Sequence, residues 1–276
     1  MRLNNIYQKR DKWVHKGDFG YLLIIAGSKK YTGSPIFNAV SALRAGTDLV
    51  CCVGPQRAMD IAASFLPDII TFPLPGNNLR KKHLDFILRI SKKFDTIVVG
   101  CGIGRSLDTF SVVREIVRKI DLPMVIDADG IRALTEKKEI IKGKKIVLTP
   151  NSKEFEILTG EKLTSKIEQR TKIVKKWAEK LGVVILVKGH FDVISDGKKV
   201  EINKTGSFYM TKGGFGDTLT GILGSFLARK IGLFEAAKAA SFVNGKAGEM
   251  ASKIYQEGVL ASDIFKFISE VVKKYK

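Results

Sequence analysis

Apolar residues along the chain follow two alternating patterns. Short, nearly continuous apolar runs predict strands over 21–26, 48–53, 96–100, 124–127, 146–149 and 183–188. Between them apolar residues recur at helical spacing, which predicts helices over 34–45, 56–64, 78–93, 108–119, 152–159 and 164–181. Strands that are buried on both faces have continuous apolar runs, so this alternation indicates a mainly parallel sheet covered by helices on both sides.

The pattern changes after residue 188. Two short runs over 192–195 and 198–202 flank Asp196-Gly197, a dipeptide typical of tight hairpins. Three helices are predicted to follow over 217–230, 233–254 and 261–273, the last with Ser262 as its expected N-cap. No linker rich in proline or serine interrupts the chain, so the sequence predicts a single α/β domain.

Ligands of open α/β sheets bind beyond the carboxyl ends of the strands. The segments that follow predicted strands are rich in glycine and polar residues, and we expect them to line one rim of the sheet: 27–34, 100–104, 127–129, 149–151 and 188–190. Asp127 and Asp129 in this set could hold a metal ion on a phosphate or bond amides of the following turn. Asn151 with Glu154 predicts a helix capping box, which leaves ligand contact open.

Composition narrows the function classes. The formal net charge of +19 would suit a polyanionic partner, but the lysines are spread along helices and turns, without the interleaved aromatics of a nucleic-acid surface. No apolar run reaches the roughly 18 residues that a membrane span needs, and the N-terminus lacks the apolar core of a secretory signal. We therefore expect a cytoplasmic protein with no membrane partner, and the spread of the lysines does not favour a nucleic-acid partner.

Cysteine and histidine spacing argues against several kinds of site. Three cysteines, with Cys51 next to Cys52 and Cys101 far away, fit neither a zinc site nor a disulfide framework. The three histidines lie far apart, so a zinc site or a Ser-His-Asp relay finds no support. His83 is expected on a helix surface. No residue is assigned as a metal ligand.

The richest chemistry lies at Gly213, Gly214 and Gly216, directly before Asp217. Glycines allow positive φ and close approach of a ligand, and the free amides at a helix N-terminus bind phosphate. A carboxylate among these donors is suited to accepting a proton from a hydroxyl. The alternative is structural, with Asp217 as the N-cap of the helix.

Two nucleotide-binding fingerprints fit poorly. The segment 98–104 follows a predicted strand, but Arg105 occupies the sixth position of the G-x-G-x-x-G frame. A glycine-lined wall for another phosphate-bearing ligand remains open there. A P-loop is unsupported, because Lys212 precedes the glycines instead of following them.

Eight motifs occur in a fixed order: HKGDFG (15–20), AGSKKYTGSP (26–35), GCGIG (100–104), IDADG (126–130), LTPNSKEF (148–155), VKGHFD (187–192), NKTG (203–206) and GGFGD (213–217). With this set the chain resembles the ADP- or ATP-dependent NAD(P)H-hydrate dehydratases of the ribokinase-like superfamily. The resemblance spans nearly the whole chain. It implies one ribokinase-like three-layer α/β/α domain over 1–276, with a mainly parallel sheet, no separate lid domain and no epimerase domain.

The resemblance also implies a repair reaction, in which a nucleotide phosphorylates the hydroxyl of hydrated NADH or NADPH and phosphate then leaves. Asp217 would be the base on that hydroxyl, and the amides of Gly214, Phe215 and Gly216 would stabilise the transferred phosphoryl group. Nucleotide contacts would come from Lys188, Gly189, His190, Phe191, Asp192, Asn203, Thr205 and Gly216. The hydrated dinucleotide would lie against Ser34, Gly102, Gly104, Asn151 and Asp217.

The expected cofactors are ADP or ATP with Mg²⁺, and the expected assembly is a homo-oligomer, commonly a tetramer in the family. This chain departs from the family pattern at Asn151-Ser152-Lys153 (usually His-Pro-Gly), Ser207-Phe208-Tyr209 (usually Asn-Pro-Gly), Phe215 (usually Thr) and Cys101 (usually Pro). Two alternatives remain. These departures leave open a small-molecule kinase of the same fold, and the net charge of +19 leaves open a nucleotide-binding or nucleic-acid-binding protein without catalysis.

Overall fold

A nine-stranded sheet forms the centre of the computed structural model, which describes residues 2–7 and 9–276. Its strands are β1 (Tyr21–Ile25), β2 (Leu49–Pro55), β3 (Ile70–Leu74), β4 (Thr96–Val99), β5 (Met124–Ile126), β6 (Ile146–Leu148), β7 (Val184–Val187), β8 (Asp192–Ser195) and β9 (Val200–Asn203). Their order is β3-β2-β1-β4-β5-β6-β7-β8-β9. Strands β1 to β7 pair in parallel, whereas β8 and β9 pair antiparallel. The mainly parallel sheet is as predicted.

Helices cover both faces of the sheet. They are α1 (Ser34–Arg44), α2 (Gln56–Phe65), α3 (Leu84–Ser91), α4 (Leu107–Lys119), α5 (Asp129–Leu134), α6 (Ser152–Thr159), α7 (Ile167–Leu181), α8 (Phe215–Ala228), α9 (Leu233–Tyr255) and α10 (Ile264–Tyr275). One core contains α1, α2 and α8 to α10, and the other contains α3 to α7. Within the described residues, no helix has the length and apolar character to cross a bilayer.

Side chains of the central strands alternate between the two cores, because successive strand residues point to opposite faces. In β1, Leu22 and Ile24 belong to one core, and Leu23 and Ile25 belong to the other. The same alternation separates the buried thiols of Cys51 and Cys52. Fully apolar runs therefore occur here because both faces are covered.

Four details differ from the sequence prediction. Strand β3 was not predicted, because Pro73 and exposed residues give this edge strand no buried run. The helix predicted over 78–93 is a 3₁₀ turn at Lys81–His83 followed by α3, and His83 is buried rather than on the helix surface. A short helix, α5, occupies the segment after Asp127. Ser262 does not cap α10, because it lies within a 3₁₀ turn at Ala261–Asp263.

Close packing of α8 fixes the position of its first turn. A side chain at Gly221 would collide with the backbone of Asn38 in α1, and one at Gly224 would lie 2.6 Å from Val98 in β4. Both glycines are fully surrounded, so α8 lies directly against its neighbours. The N-terminus of α8 consequently has one defined place at the rim of the sheet.

Candidate active site

The glycine turn ends where α8 begins at Phe215. Gly214 is the N-cap with a φ of 100°, and a Cβ there would lie 2.8 Å from Ala261 Cβ. Only glycine adopts this conformation without strain and clash. Asp217 is the third residue of the helix, so it is not the N-cap. The first-turn amides lack intrahelical carbonyl partners and carry the positive end of the helix dipole.

Asp217 lies in a poorly solvated polar pocket. Burial, followed by the negative charge of Asp127, raises the pKa of Asp217 from 3.8 to about 6. Hydrogen bonding from Cys101 and Ser34 and the positive charge of Lys188 act in the opposite direction. The main chain is fixed by Asn38, whose Nδ2 donates to the Asp217 carbonyl oxygen at 2.7 Å. The carboxylate is therefore a stronger base than a solvated aspartate.

An ion pair lies beside the glycine turn. Lys188 Nζ is 2.6 Å from Asp127 Oδ1, and Thr220 Oγ1 donates to Asp127 Oδ2 at 3.2 Å. Burial would lower the pKa of Lys188, but the charges of Asp127 and Glu154 raise it overall. A Cβ on Gly216 would lie 3.2 Å from Lys188 Nζ. The bare glycine thus leaves the ammonium group next to the first turn of α8.

Asn151 and Glu154 form the predicted capping box. Asn151 Oδ1 accepts hydrogen bonds from the amides of Lys153 and Glu154, and Glu154 Oε2 accepts from the Asn151 amide. Burial, then the charge of Asp127, raises the pKa of Glu154. Asn151 also pairs with Lys188 in a parallel β-bridge, which brings the ends of β6 and β7 together.

A cavity of about 1290 Å³ opens in front of these groups. Ten of the residues predicted for the site line it: Asn151, Lys188, Gly189, His190, Asp192, Thr205, Gly214, Phe215, Gly216 and Asp217. Phe208 and Tyr209 lie in the same wall, and Phe208 is 74% exposed. The aromatic residues that replace the family's usual turn therefore face the same space as Lys188 and Thr205.

Five predicted residues lie outside the lining of this cavity. Ser34 faces Asp217, and Gly102 packs against Ser34, because a Cβ at Gly102 would lie 2.7 Å from Ser34 Oγ. Gly104 lines a second, smaller cavity. The Phe191 ring contacts His190 at a centroid distance of 4.4 Å. Asn203 is buried, and its side chain donates to Ser241 and accepts from Thr205.

Asp192 has a supporting position in the cavity wall. Its Oδ1 accepts a hydrogen bond from the Gly189 amide at 3.0 Å, and its Oδ2 accepts one from Ser241 at 2.6 Å. Both carboxylate oxygens therefore have protein partners. The contacts fix the turn that carries Lys188 and His190.

With this geometry in place, comparison with known proteins is informative. A family model described as NAD(P)H-hydrate dehydratase matches residues 22–270. The chain belongs to this family. A "Bifunctional NAD(P)H-hydrate repair enzyme Nnr" from Pyrobaculum aerophilum is 40% identical over 262 residues, which cover 94% of this chain and 52% of that protein. The chain spans about half the length of the first four relatives of this kind.

Other family members match along most of their length. An "ADP-dependent (S)-NAD(P)H-hydrate dehydratase" from Cenarchaeum symbiosum is 34% identical over 269 residues, which cover 97% of this chain and 93% of that protein. The crystal structure of an ADP/ATP-dependent NAD(P)H-hydrate dehydratase from Bacillus subtilis, co-crystallised with ATP/Mg²⁺, has a TM-score of 0.83 and 25% identity, covering 97% of this chain and 94% of that chain. The predicted ribokinase-like α/β fold is confirmed.

Sequence reasoning missed several groups at this family member's site. Lys188 was assigned to the nucleotide, but its pairing with Asp127, 61 residues away, has no local signal. Asn38 and Thr220 were not predicted, because a helix interior gives no indication of which side chain meets a rim loop. Asn244, Glu249 and Lys253 of α9 also line the large cavity. The sequence pattern predicted only that residues 233–254 form a helix.

Proposed function

We propose that this chain returns hydrated NADH or NADPH to the reduced dinucleotide in a reaction that consumes ADP or ATP. The observation that carries the proposal is the Asp217 carboxylate, with its pKa raised to about 6, at the amide-rich first turn of α8 and in the wall of a large cavity. Family membership supports the choice of reaction, and the position of the Asp217 carboxylate supports its role in the first step.

Asp217 acts as the general base in this proposal. Its carboxylate accepts the proton of the ring hydroxyl while the hydroxyl oxygen forms a bond to the terminal phosphorus of the nucleotide. The P–O bond to the nucleotide breaks in the same transfer. Phosphorylation makes the oxygen a good leaving group. The C–O bond then breaks, inorganic phosphate departs, and the adjacent ring carbon loses a proton as the C=C bond of the reduced dinucleotide forms. A base with a pKa near 6 accepts the proton more readily than a solvated carboxylate.

Charge on the transferred phosphoryl group is stabilised by fixed donors. The amides of Gly214, Phe215 and Gly216 lie in the turn and first positions of α8, where the helix dipole also favours an anion. Lys188 adds a positive charge next to Gly216. Because Asp127 pairs with Lys188, the ammonium group has a fixed position before any phosphate arrives.

The large cavity has room for more than one ligand. Its volume of about 1290 Å³ exceeds the ~300–1,000 Å³ of ordinary small-molecule sites. We assign its wall at Lys188, His190 and Thr205 to the nucleotide. The acceptor lies on the side of Asp217 that faces Ser34 and Gly102, as the family resemblance implies.

Mg²⁺ fits this site as a companion of the nucleotide phosphates. The nearby acidic side chains already have protein partners, because Asp127 pairs with Lys188 and Glu154 accepts from the Asn151 amide. The oxygen ligands that Mg²⁺ prefers would therefore come mainly from phosphate and water. When bound, the ion supplies neutralisation of phosphate charge.

Three further expectations stay part of the proposal. They are a single domain over 1–276, a cytoplasmic location and assembly into a homo-oligomer. Light scattering coupled to size-exclusion chromatography would measure the mass of the assembly against the chain mass of 30.5 kDa. Elution at the mass of one chain would contradict the expected oligomer.

The proposed function is tested by recovery of absorbance from the reduced nicotinamide. Purified protein is mixed with hydrated NADH or NADPH and Mg²⁺, with ADP in one series and ATP in the other. We expect recovery with at least one nucleotide, and loss of at least about 100-fold in kcat for Asp217→Asn, the range of general base catalysis. No recovery with either nucleotide would eliminate the function, and full activity of Asp217→Asn would eliminate the assigned base.

A kinase is the second candidate, because Asn151, which replaces the family's usual histidine on the acceptor side, lines the cavity that contains Asp217. In that case the phosphorylated acceptor does not eliminate phosphate and accumulates as a stable product. A panel of vitamin precursors, sugars and nucleosides, followed by mass spectrometry, separates the two reactions. Release of phosphate together with NADH or NADPH from the hydrate, with no phosphorylated product from the panel, supports the dehydratase.

A further inference from the structure

A second cavity, of about 580 Å³, is lined by residues from the loops after β1, β3 and β4 and by Arg57 of α2. Its lining residues include the cationic Lys29, Lys30 and Arg57 and the amide-bearing Asn77 and Asn78. Among the described residues, neither aspartate nor glutamate lines it. Within the part of the chain that the structure describes, none of the three cations lies within ion-pair distance of a carboxylate. This cationic cavity therefore has unneutralised positive charge.

The loop that carries Lys29 and Lys30 is fixed by its own hydrogen bonds. The Tyr31 amide donates to Ser28 Oγ at 3.2 Å, and the Ser28 amide donates to the Tyr31 carbonyl oxygen at 3.2 Å. The Lys29 amide donates to the Asn77 carbonyl oxygen at 2.9 Å, which joins the two sides of the cavity. The cavity is thus a built feature of two joined loops.

Residue contacts connect the cationic cavity to the base. Ser34 faces Asp217, and Gly102 packs against both Ser34 and Tyr31, since a Cβ there would lie 2.7 Å from Ser34 Oγ and 2.8 Å from Tyr31 Cβ. Tyr31 and Gly104 then line the cationic cavity. Ser34 and Gly102 therefore lie between the Asp217 carboxylate and the cationic cavity.

In-line transfer places the acceptor hydroxyl on the side of the phosphorus opposite the nucleotide. The attacking and leaving oxygens lie on opposite sides of the phosphorus in phosphoryl transfer. If the nucleotide occupies the large cavity beside Lys188, the acceptor approaches from the Ser34 and Gly102 side. A hydrated dinucleotide has a reacting ring at one end and phosphate groups at a distance from it. The remote phosphates need cations, and the cationic cavity provides them.

We infer that the cationic cavity binds the phosphate-bearing adenosine end of the acceptor, with Lys29, Lys30 and Arg57 as the partners of its phosphates. This inference rests on the proposed function for the identity of the acceptor. The shared chemistry is a phosphate ester, which could be the diphosphate of either hydrate or the 2′-phosphate that only hydrated NADPH carries.

The test compares Arg57→Gln and Lys30→Gln with Lys93→Gln. Lys93 is exposed near the end of α3, and it does not line either described cavity, so its substitution makes the same charge change elsewhere. For each variant, kcat and KM are measured with hydrated NADH, with hydrated NADPH and with the nucleotide. We expect each cavity variant to raise the acceptor KM about ten-fold, the effect of one charge-assisted hydrogen bond. The kcat and the nucleotide KM stay unchanged.

The two acceptor arms identify the phosphate. A rise in KM for hydrated NADPH alone assigns the cavity to the 2′-phosphate, and an equal rise for both hydrates assigns it to the diphosphate. If the cavity variants match Lys93→Gln with both acceptors, the inference is wrong while the dehydratase activity stands.

A binding measurement tests the cationic cavity independently of the proposed function. NADPH and NADH are titrated into each protein, and binding is followed by nicotinamide fluorescence without turnover. Weaker binding to Arg57→Gln than to Lys93→Gln supports the cavity even if no hydrate is converted. Equal binding, or none to the unmodified protein, overturns it.

Discussion

The pH dependence of activity gives the sharpest test of the site, because two substitutions should move it in opposite directions. Asp127 raises the pKa of Asp217 and Lys188 lowers it. Asp127→Asn removes the nearby negative charge and leaves Lys188 without its ion-pair partner. Both effects lower the pKa of Asp217. Lys188→Met removes the positive charge, so the pKa of Asp217 rises.

The size of the Asp127 effect follows from distance. The Cys101 Sγ atom and one carboxylate oxygen each of Asp127 and Asp217 lie within 4.8 Å of one another. Two unit charges at that separation interact by about 0.9 kcal/mol in water and about 3.5 kcal/mol at an effective dielectric constant of 20. At about 1.4 kcal/mol per pKa unit, Asp127→Asn should lower the pKa of Asp217 by about 0.6 to 2.5.

The assay is kcat/KM for the hydrated dinucleotide from pH 4.5 to 9, with nucleotide and Mg²⁺ held saturating. A base must be ionised to act, so activity of the unmodified protein should fall as pH drops through about 6. Asp127→Asn should move this acid limb to lower pH, and Lys188→Met should move it to higher pH with a lower maximum. Circular dichroism checks that each variant is folded, because breaking a buried pair costs about 3 to 5 kcal/mol.

Asp129→Asn is the matched control for this experiment. It makes the same chemical change two residues from Asp127, but the Asp129 carboxylate pairs with Arg105 Nε at 2.8 Å and is not among the groups that shift the pKa of Asp217. Its acid limb should stay in place. Equal displacement of Asp127→Asn and Asp129→Asn, or displacement of Lys188→Met and Asp127→Asn in the same direction, would refute the assigned electrostatics.

Three further predictions concern the free energy of unfolding and the kinetic constants. Asp217→Asn should stabilise the protein by up to roughly 3 kcal/mol at pH 8, with most of the gain lost near pH 4, as measured by urea unfolding at both pH values. Gly214→Ala should cost about 1 to 3 kcal/mol and lower kcat, because φ is 100° there; Gly213→Ala, with no atom within 4 Å of its Cβ, should be nearly neutral in both measurements. Gly245→Ala should raise the nucleotide KM with little change in acceptor KM, because its Cβ would displace Thr205.

The sign of the Asp217 stability prediction follows from proton binding. Its pKa is 3.8 in the reference state and about 6 in the folded protein. Between these values the folded protein binds more protons than the unfolded chain, so stability falls as pH rises through this window. Above it the full penalty applies, and an asparagine avoids it. Equal unfolding energies for Asp217→Asn and the unmodified protein at pH 8 would show that burial does not penalise the carboxylate.

The strands were predictable because a strand that is buried on both faces has a nearly continuous apolar run. Helices cover both faces of the seven parallel strands, and six of these strands have apolar runs that identify them. Strand β3 escaped prediction because its sequence, ITFPL, has exposed positions and a proline at the sheet edge. The segment after Asp127 forms α5 although its sequence suggests a turn, and Asp129 at the start of this helix pairs with Arg105.

The electrostatics of the site could not be predicted in the same way. The glycines before Asp217 indicated an anion-binding turn, but nothing local indicates that the carboxylate is half-buried next to Asp127. The effect of Lys188 likewise depends on strand order, since β6 lies between β5 and β7, and the Lys188 and Asp127 side chains meet beyond the carboxyl ends of these strands. Loops far apart in sequence also form the cationic cavity, which single motifs do not reveal.

The poor solvation of the Asp217 carboxylate lowers the stability of the folded protein. Raising the pKa of Asp217 from 3.8 to about 6 corresponds to roughly 3 kcal/mol lost from the folded state at neutral pH. The glycine contacts of α8 with Asn38 and Val98 hold the carboxylate in that environment, since the helix cannot withdraw without losing close packing. A looser helix would let water reach Asp217, lower its pKa and weaken it as a base. The basicity of Asp217 in the first turn of α8 therefore depends on the tight packing of the rest of that helix.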